Sequence, residues 1–367
     1  QVTWSKDGGY LFTSAAYEEF FVWRVRTIPI FGVATNLIAA SPKDDVNSDL
    51  RIPSFDVVEV EEVDGEQGFL LCIALSNSVF KVRVALSFKY HGRHVLTSLQ
   101  IFHFSPSNGG QFTLLARGKY MTNCLTQAQF LVSSSSVSLI TAATDGYFTL
   151  WDLTSTLQPF YTITQSTLKA NHPFKGSIIS PENITCESRY QIHSNSIKGM
   201  ELVPISDTAA VVVAGGDDNS LSVSLLRTHP SDTGSNAQVA TVSIPDAHAA
   251  SVTTVKVLNQ QISRDVTSNT ESIKFTVASS GNDHRVKMWS IAVDPTQLDT
   301  QGMIVEFLLD TYSSVADISS LGVVHGPGNG LPAENQVPGS EINQSRLVVC
   351  GEGIEMFAAE SDGAPSA

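Results

Sequence analysis

Residues 139–153 read LITAATDGYFTLWDL and residues 275–291 read FTVASSGNDHRVKMWSI. Each stretch is a strand, a tight turn carrying an Asp, and a second strand. A Trp follows that Asp by six residues in both, Asp145 to Trp151 and Asp283 to Trp289. Similar short runs of Val, Ile, Leu, Phe and Thr, bounded by Gly, Asn, Asp, Ser and Pro, fill the rest of the chain, and convincing helical periodicity is absent. One such unit cannot bury both faces of its small sheet. Units of this kind must stack side by side to make a core.

The strand, Asp turn, strand and Trp form the ending of a WD-type β-propeller blade. The expected fold is therefore all-β, a WD-repeat β-propeller. The 367 residues hold about six to seven four-stranded blades at roughly 40–45 residues each. The units read at about 1–27, 28–86, 87–157, 185–228, 238–293 and 303–357, a single propeller over 1–357, with 358–367 as a mobile tail. The first unit begins mid-blade and no initiator Met leads it, so the expectation is one propeller of a longer multi-propeller chain. Ser105–Ser136, Asn259–Ser272 and Gly326–Ser345 read as long insertions between strands.

Apolar residues make up 42% of the chain, spread evenly. No run approaches the roughly 18–20 apolar residues of a spanning helix, and no charged segment followed by an apolar one opens the chain. Cys72, Cys124, Cys186 and Cys350 are widely spaced and make neither CxxC nor zinc spacing. They read as reduced thiols of a cytoplasmic protein. No Gly-rich phosphate loop, HExxH or GxSxG is found, so neither a cofactor nor a metal is expected.

The net charge of −14 argues against a nucleic-acid-binding surface spread over the whole molecule, but the charge is unevenly placed. Residues 44–66 hold nine acids, and residues 67–144 hold none. That second window carries Lys81, Arg83, Lys89, Arg93, Arg117 and Lys119, with His91, His94 and His103. Two readings stay open. The Lys and Arg residues are solvated edge-strand charges, or Lys81, Arg83, Lys89, Arg93, His94, Arg117 and Lys119 make one face that meets phosphates or a partner.

A His also precedes an apolar strand residue by four in three units: His91 to Val95, His193 to Ile197 and His248 to Val252. In a WD blade such a His bonds the turn Asp, and a Ser or Thr links it to the Trp. The sets read as His91, Thr141, Asp145 and Trp151, and as His248, Ser279, Asp283 and Trp289. His193 and Asp218 form an incomplete set, with Ala214 and Ser224 in the remaining places. A His–Asp–Ser group resembles a catalytic triad. Its recurrence in separate blades makes it a structural repeat, and the chain reads as no enzyme.

A narrower resemblance rests on four stretches in order. They are AATDG at 142–146 with WDLT at 151–154, IPDAHAASVT at 244–253, VAD at 315–317, and GEGIEMF at 351–357. Together they resemble the C-terminal region of the WD-repeat proteins that partner the tRNA wobble-ribose 2′-O-methyltransferase, over roughly residues 60–357. The resemblance implies a non-catalytic subunit that binds an FtsJ-like methyltransferase and helps place tRNA for methylation at the wobble position. It assigns no tRNA contact to individual residues. The alternative is a general WD-repeat platform for protein partners in trafficking or signalling.

Overall fold

The structure is a computed structural model, which describes residues 1–14, 18–30, 32–42, 50–76, 99–106, 110–121, 123–164, 166–174, 180–228, 237–264, 271–297, 300–324 and 345–359. The fold is all-β and divides into two compact units, Gln1–Gln191 and Ile192–Ala367.

The first unit holds three sheets. In the first, β1 (Val2–Trp4), β2 (Tyr10–Ser14), β3 (Phe20–Ile28) and β4 (Gly32–Ala40) pair in chain order. The second runs β5 (Ser54–Glu61), β6 (Gln67–Ala74), β7 (Leu99–Ser105), β8 (Gln111–Gly118). The third is β9 (Leu125–Val132), β10 (Val137–Ala143), β11 (Tyr147–Asp152) and, after an insertion, β15 (Ser188–Gln191). That insertion carries the one-turn helix α1 (Thr154–Leu157), the hairpin β12 (Tyr161–Thr164) and β13 (Thr167–Ala170), and β14 (Glu182–Ile184). β13 joins β5 and β14 joins β8, both in parallel, so the second sheet grows to seven strands.

The second unit holds β16 (Ile197–Ser206), β17 (Ala209–Gly216), β18 (Leu221–Arg227) and β19 (Gln238–Ile244) as one sheet. The next is β20 (Val252–Arg264), β21 (Glu271–Gly281), β22 (Arg285–Val293) and β23 (Met303–Tyr312). β24 (Ala316–Val324) and β25 (Ser345–Ala359) form an antiparallel pair.

The core lies between successive sheets, as stacked blades require. Phe12, Phe20, Phe55, Phe69, Phe102 and Phe104 fill the space between the first and second sheets, with Phe12 edge-on to Phe69 and Phe20 edge-on to Phe55. Leu99, Ala128, Leu139 and Trp151 pack between the second and third. Val213, Val223, Val252, Phe275 and Trp289 join the two four-stranded sheets of the second unit. Val286, Ile318, Leu321 and Val349 join the last pair to its neighbour.

The described residues give five sheets of blade type and one two-stranded sheet, where about six to seven four-stranded blades were expected. The sequence units also regroup. β4 completes the first sheet rather than opening the second, β19 completes the fourth and β23 the fifth. Alternating apolar residues reveal a strand but not which neighbour it pairs with. Residues 105–136 contain β8 and β9 rather than one long insertion, and Ser133–Ser136 is the tight turn between β9 and β10. Likewise β20 and β21 run into the segment read as the 259–272 insertion.

Candidate functional site

In the fifth sheet the four expected side chains form one continuous chain of hydrogen bonds. Trp289 Nε1 donates to Ser279 Oγ at 2.9 Å, Ser279 Oγ lies 2.8 Å from His248 Nε2, and His248 Nδ1 lies 3.0 Å from Asp283 Oδ1. The proton positions follow from donor counting. Ser279 accepts the indole N–H, so its own proton goes to Nε2, and Nδ1–H points at Asp283. Asp283 also accepts the Ala249 N–H at 2.9 Å. Burial alone would raise Asp283, but the bonds from His248 and Ala249 outweigh it and hold the carboxyl below its ordinary value. Burial holds His248 below its ordinary value against the opposing pull of Asp283.

The donor pattern is that of a catalytic triad, but Ser279 is fully buried and its oxygen already takes the Trp N–H. A substrate has no approach to that oxygen, so the set aims a turn and seals a blade.

The fourth sheet solves the same problem differently. His193 Nδ1 is 2.8 Å from Asp218 Oδ1, and the Ser194 N–H donates to Asp218 Oδ2 at 2.7 Å. Ala214 offers no hydroxyl, and Ser222, its cross-strand partner, supplies one 2.9 Å from His193 Nε2. Ser220 adds a 2.6 Å bond to Asp218. Burial would raise Asp218, but these bonds hold it far below the carboxylate range. Ser224, in the Trp place, bonds Thr241 at 2.8 Å.

The third sheet departs from the expectation. Trp151 Nε1 donates to Thr141 at 3.1 Å and Thr149 at 2.9 Å. Asp145 takes its bonds from Tyr120 (2.7 Å), Asn123 (2.9 Å) and Arg189 (3.2 Å). His91 lies outside the described residues, and the backbone beside Asp145 differs from that of the two His-bearing blades. In the two His-bearing blades a Gly stands two residues before the Asp. A Cβ added at Gly216 or Gly281 would come within 2.9 Å of His193 Nδ1 or 3.0 Å of His248 Nδ1. The third blade has Ala143 at that place, so a ring set as in those two blades would meet its Cβ closely. The loop entering the inner strand β9 supplies Tyr120 instead. Burial and the Asp145 carboxylate push the Tyr120 phenol far up. The Arg189 guanidinium lies 4.3 Å over the Tyr147 ring and 5.5 Å from that of Tyr120.

Lys81, Arg83, Lys89, Arg93 and His94 lie outside the described residues. Arg117 is half-buried on β8, opposite Gln100, and Lys119 is exposed in the loop before β9. His103 belongs to no surface. It is fully buried, with Nδ1 2.8 Å from the Tyr161 hydroxyl, Nε2 2.9 Å from Glu62 Oε1, and its ring stacked on Phe174 at 3.7 Å. Among the described residues no His, Cys, Asp and Glu cluster could hold a metal ion, and no helix is long and apolar enough to cross a membrane.

No protein-family model matches the chain, and no curated protein matches it. Solved structures do. A chain of the humanized mutant of the Chaetomium thermophilum Polycomb Repressive Complex 2 bound to the inhibitor GSK126 is similar at 12% identity and a TM-score of 0.50, over 97% of this chain and 66% of that one. Sqt1 from Chaetomium thermophilum is 15% identical with a TM-score of 0.48, over 98% of this chain and 83% of that one. A chain of the Mitotic Checkpoint Complex is 10% identical with a TM-score of 0.43, over 97% and 78%. The chain thus spans just under two thirds of the first of these. At such identities the first likeness speaks to the fold alone, an all-β fold of propeller-type blades.

Proposed function

We propose that the chain is a non-catalytic scaffold subunit of a tRNA 2′-O-ribose methyltransferase. It would hold an FtsJ-like enzyme and tRNA together so that the wobble nucleoside is methylated, raising effective concentration without performing chemistry. The observation that carries this reading is the ordered set AATDG, IPDAHAASVT and GEGIEMF, with the His248–Ser279–Asp283 group of the middle stretch sealed by Trp289. Membership of a multiprotein complex in the similar Polycomb Repressive Complex 2 chain supports a scaffold of some kind.

The test is recovery of bound RNA and protein from cells at two salt concentrations. Methyltransferase and tRNA should co-purify, the tRNA should be lost at high salt, and charge reversal at Lys89 and Arg93 should weaken only the tRNA. The second reading, a platform for protein partners alone, is favoured by the net charge of −14. It expects protein partners with no tRNA.

A further inference from the structure

The outer strand of the fifth sheet, β23, pairs with β22 from Arg285 opposite Tyr312 to Val293 opposite Met303, with one bulge at Leu308. No strand among the described residues pairs with its other edge. Ile304 is 58% exposed, Phe307 55%, Leu308 48% and Tyr312 60%, all within ten residues. An outer strand that is long, apolar and open is an aggregation hazard unless something covers it. The outer strand β19 has no large apolar side chain so exposed. β4 exposes Val33 and Leu37, but it carries no charge and so says nothing about a partner.

β23 does carry charge. Its sequence MIVEFLLDTY holds Glu306 and Asp310 and no Lys or Arg. Arg285 stands 3.6 Å from Asp310, both well exposed, and such a pair counts for little. A second copy's β23 would bring the same two acids, Glu306 and Asp310, and no Lys or Arg to this edge, which is unfavourable. The chain's own last residues, ESDGAPSA, bring more acid, Gly and Pro and no large apolar side chain. The occupant that fits is an extended segment of another protein in which apolar residues alternate with Lys or Arg.

We infer that β23 is a strand-addition site, where a basic, apolar segment of a partner protein extends the fifth sheet by one strand. Backbone hydrogen bonds supply affinity. Apolar contact with Ile304, Phe307 and Tyr312, and pairing with Glu306 and Asp310, supply selectivity. This goes beyond the scaffold reading and is independent of RNA.

The test uses the full chain and two synthetic ten-residue peptides, one alternating Val with Lys and one alternating Val with Glu. Binding is read by fluorescence anisotropy, and its location by backbone hydrogen exchange of residues 303–312. Leu308 is bulged out of register and sets Glu306 and Asp310 on opposite faces, so an alternating peptide meets one acid at a time. The Lys peptide should bind about fivefold tighter, from one cross-strand charge pair gained against one repelled, and should slow exchange in 303–312. The double variant Glu306→Lys/Asp310→Lys should reverse the preference. Equal affinities, binding without protection of 303–312, or no binding of either peptide would overturn the inference. Protection of 303–312 that grows with protein concentration alone would also overturn it, in favour of a second copy. All these outcomes leave the tRNA test untouched, so the two readings fail separately.

Discussion

Trp23 Nε1 donates to Thr13 Oγ1 at 2.9 Å, across the same ten-residue spacing that joins Trp151 to Thr141 and Trp289 to Ser279. Three blades therefore anchor the third strand to the second in one way, whatever happens at the turn. In the first sheet the residue six before the Trp, where Asp145 and Asp283 stand in the others, is Tyr17, so this anchor needs no Asp. A buried indole N–H left without an acceptor carries the full desolvation penalty.

Ser279→Ala should be the most damaging one-atom change in the fifth sheet. It strips the acceptor from Trp289 and the donor from His248. The expected loss is about 2–4 kcal/mol, from two buried groups left unsatisfied. Thermal unfolding should show a clear drop in Tm, with Ser279→Thr much milder.

Gly281→Ala should rival it for a steric reason. The new Cβ would sit 2.8 Å from the Ser251 carbonyl and 3.0 Å from both Asp283 Oδ1 and His248 Nδ1. Overpacking of this kind costs about 1–3 kcal/mol. Gly8→Ala is the control. Its φ of +68° strains any side chain but nothing lies within 4 Å of the added Cβ, so the loss should be about 1 kcal/mol.

The pH dependence follows from His248. Its folded value is below the ordinary 6.5, so between the two values the unfolded chain holds the extra proton. Stability from this group is full above about pH 6.5 and is lost as pH falls toward the folded value. Asp283 is also lowered, which adds a second loss below its ordinary value of 3.8. Tm measured from pH 7.5 down to 4.5 should fall in the wild type, and a His248→Gln variant should show a shallower fall.

Lys256 Nζ lies 2.6 Å from Glu201 Oε1, linking β20 to β16. Burial raises the Glu201 carboxyl and Lys256 pulls it down. Lys256→Met should cost about 1–2 kcal/mol at pH 7. The loss should shrink on acidification, because the unpaired Glu201 then binds a proton more readily folded than unfolded. Adding Glu201→Gln should restore part of the stability at pH 7.

The third and fifth blades are legible in the sequence because their Asp, Trp and hydroxyl sit on two adjacent strands, at fixed spacings. The fourth is half legible. His193 and Asp218 keep their places, but the hydroxyl has moved across the ladder from Ala214 to Ser222. The partners of Asp145 are not legible by spacing. Arg189 comes 44 residues later, beyond an inserted hairpin and a helix. Ala143, where the other two blades have Gly216 and Gly281, is the one local sign that this turn is built differently. His103 lies in the acid-free window without an assigned role in the sequence and is a core residue through Glu62 and Tyr161, each distant in sequence.

The measurement that bears most directly on the central claim is mass spectrometry of tRNA from cells with and without this protein. The scaffold account predicts loss of the 2′-O-methyl group at the wobble ribose, with other ribose methylations unchanged. It also predicts that the loss is repaired by the Ser279→Thr variant, because no side chain of that sealed set takes part in chemistry. Unchanged wobble methylation in the absence of the protein would contradict the account.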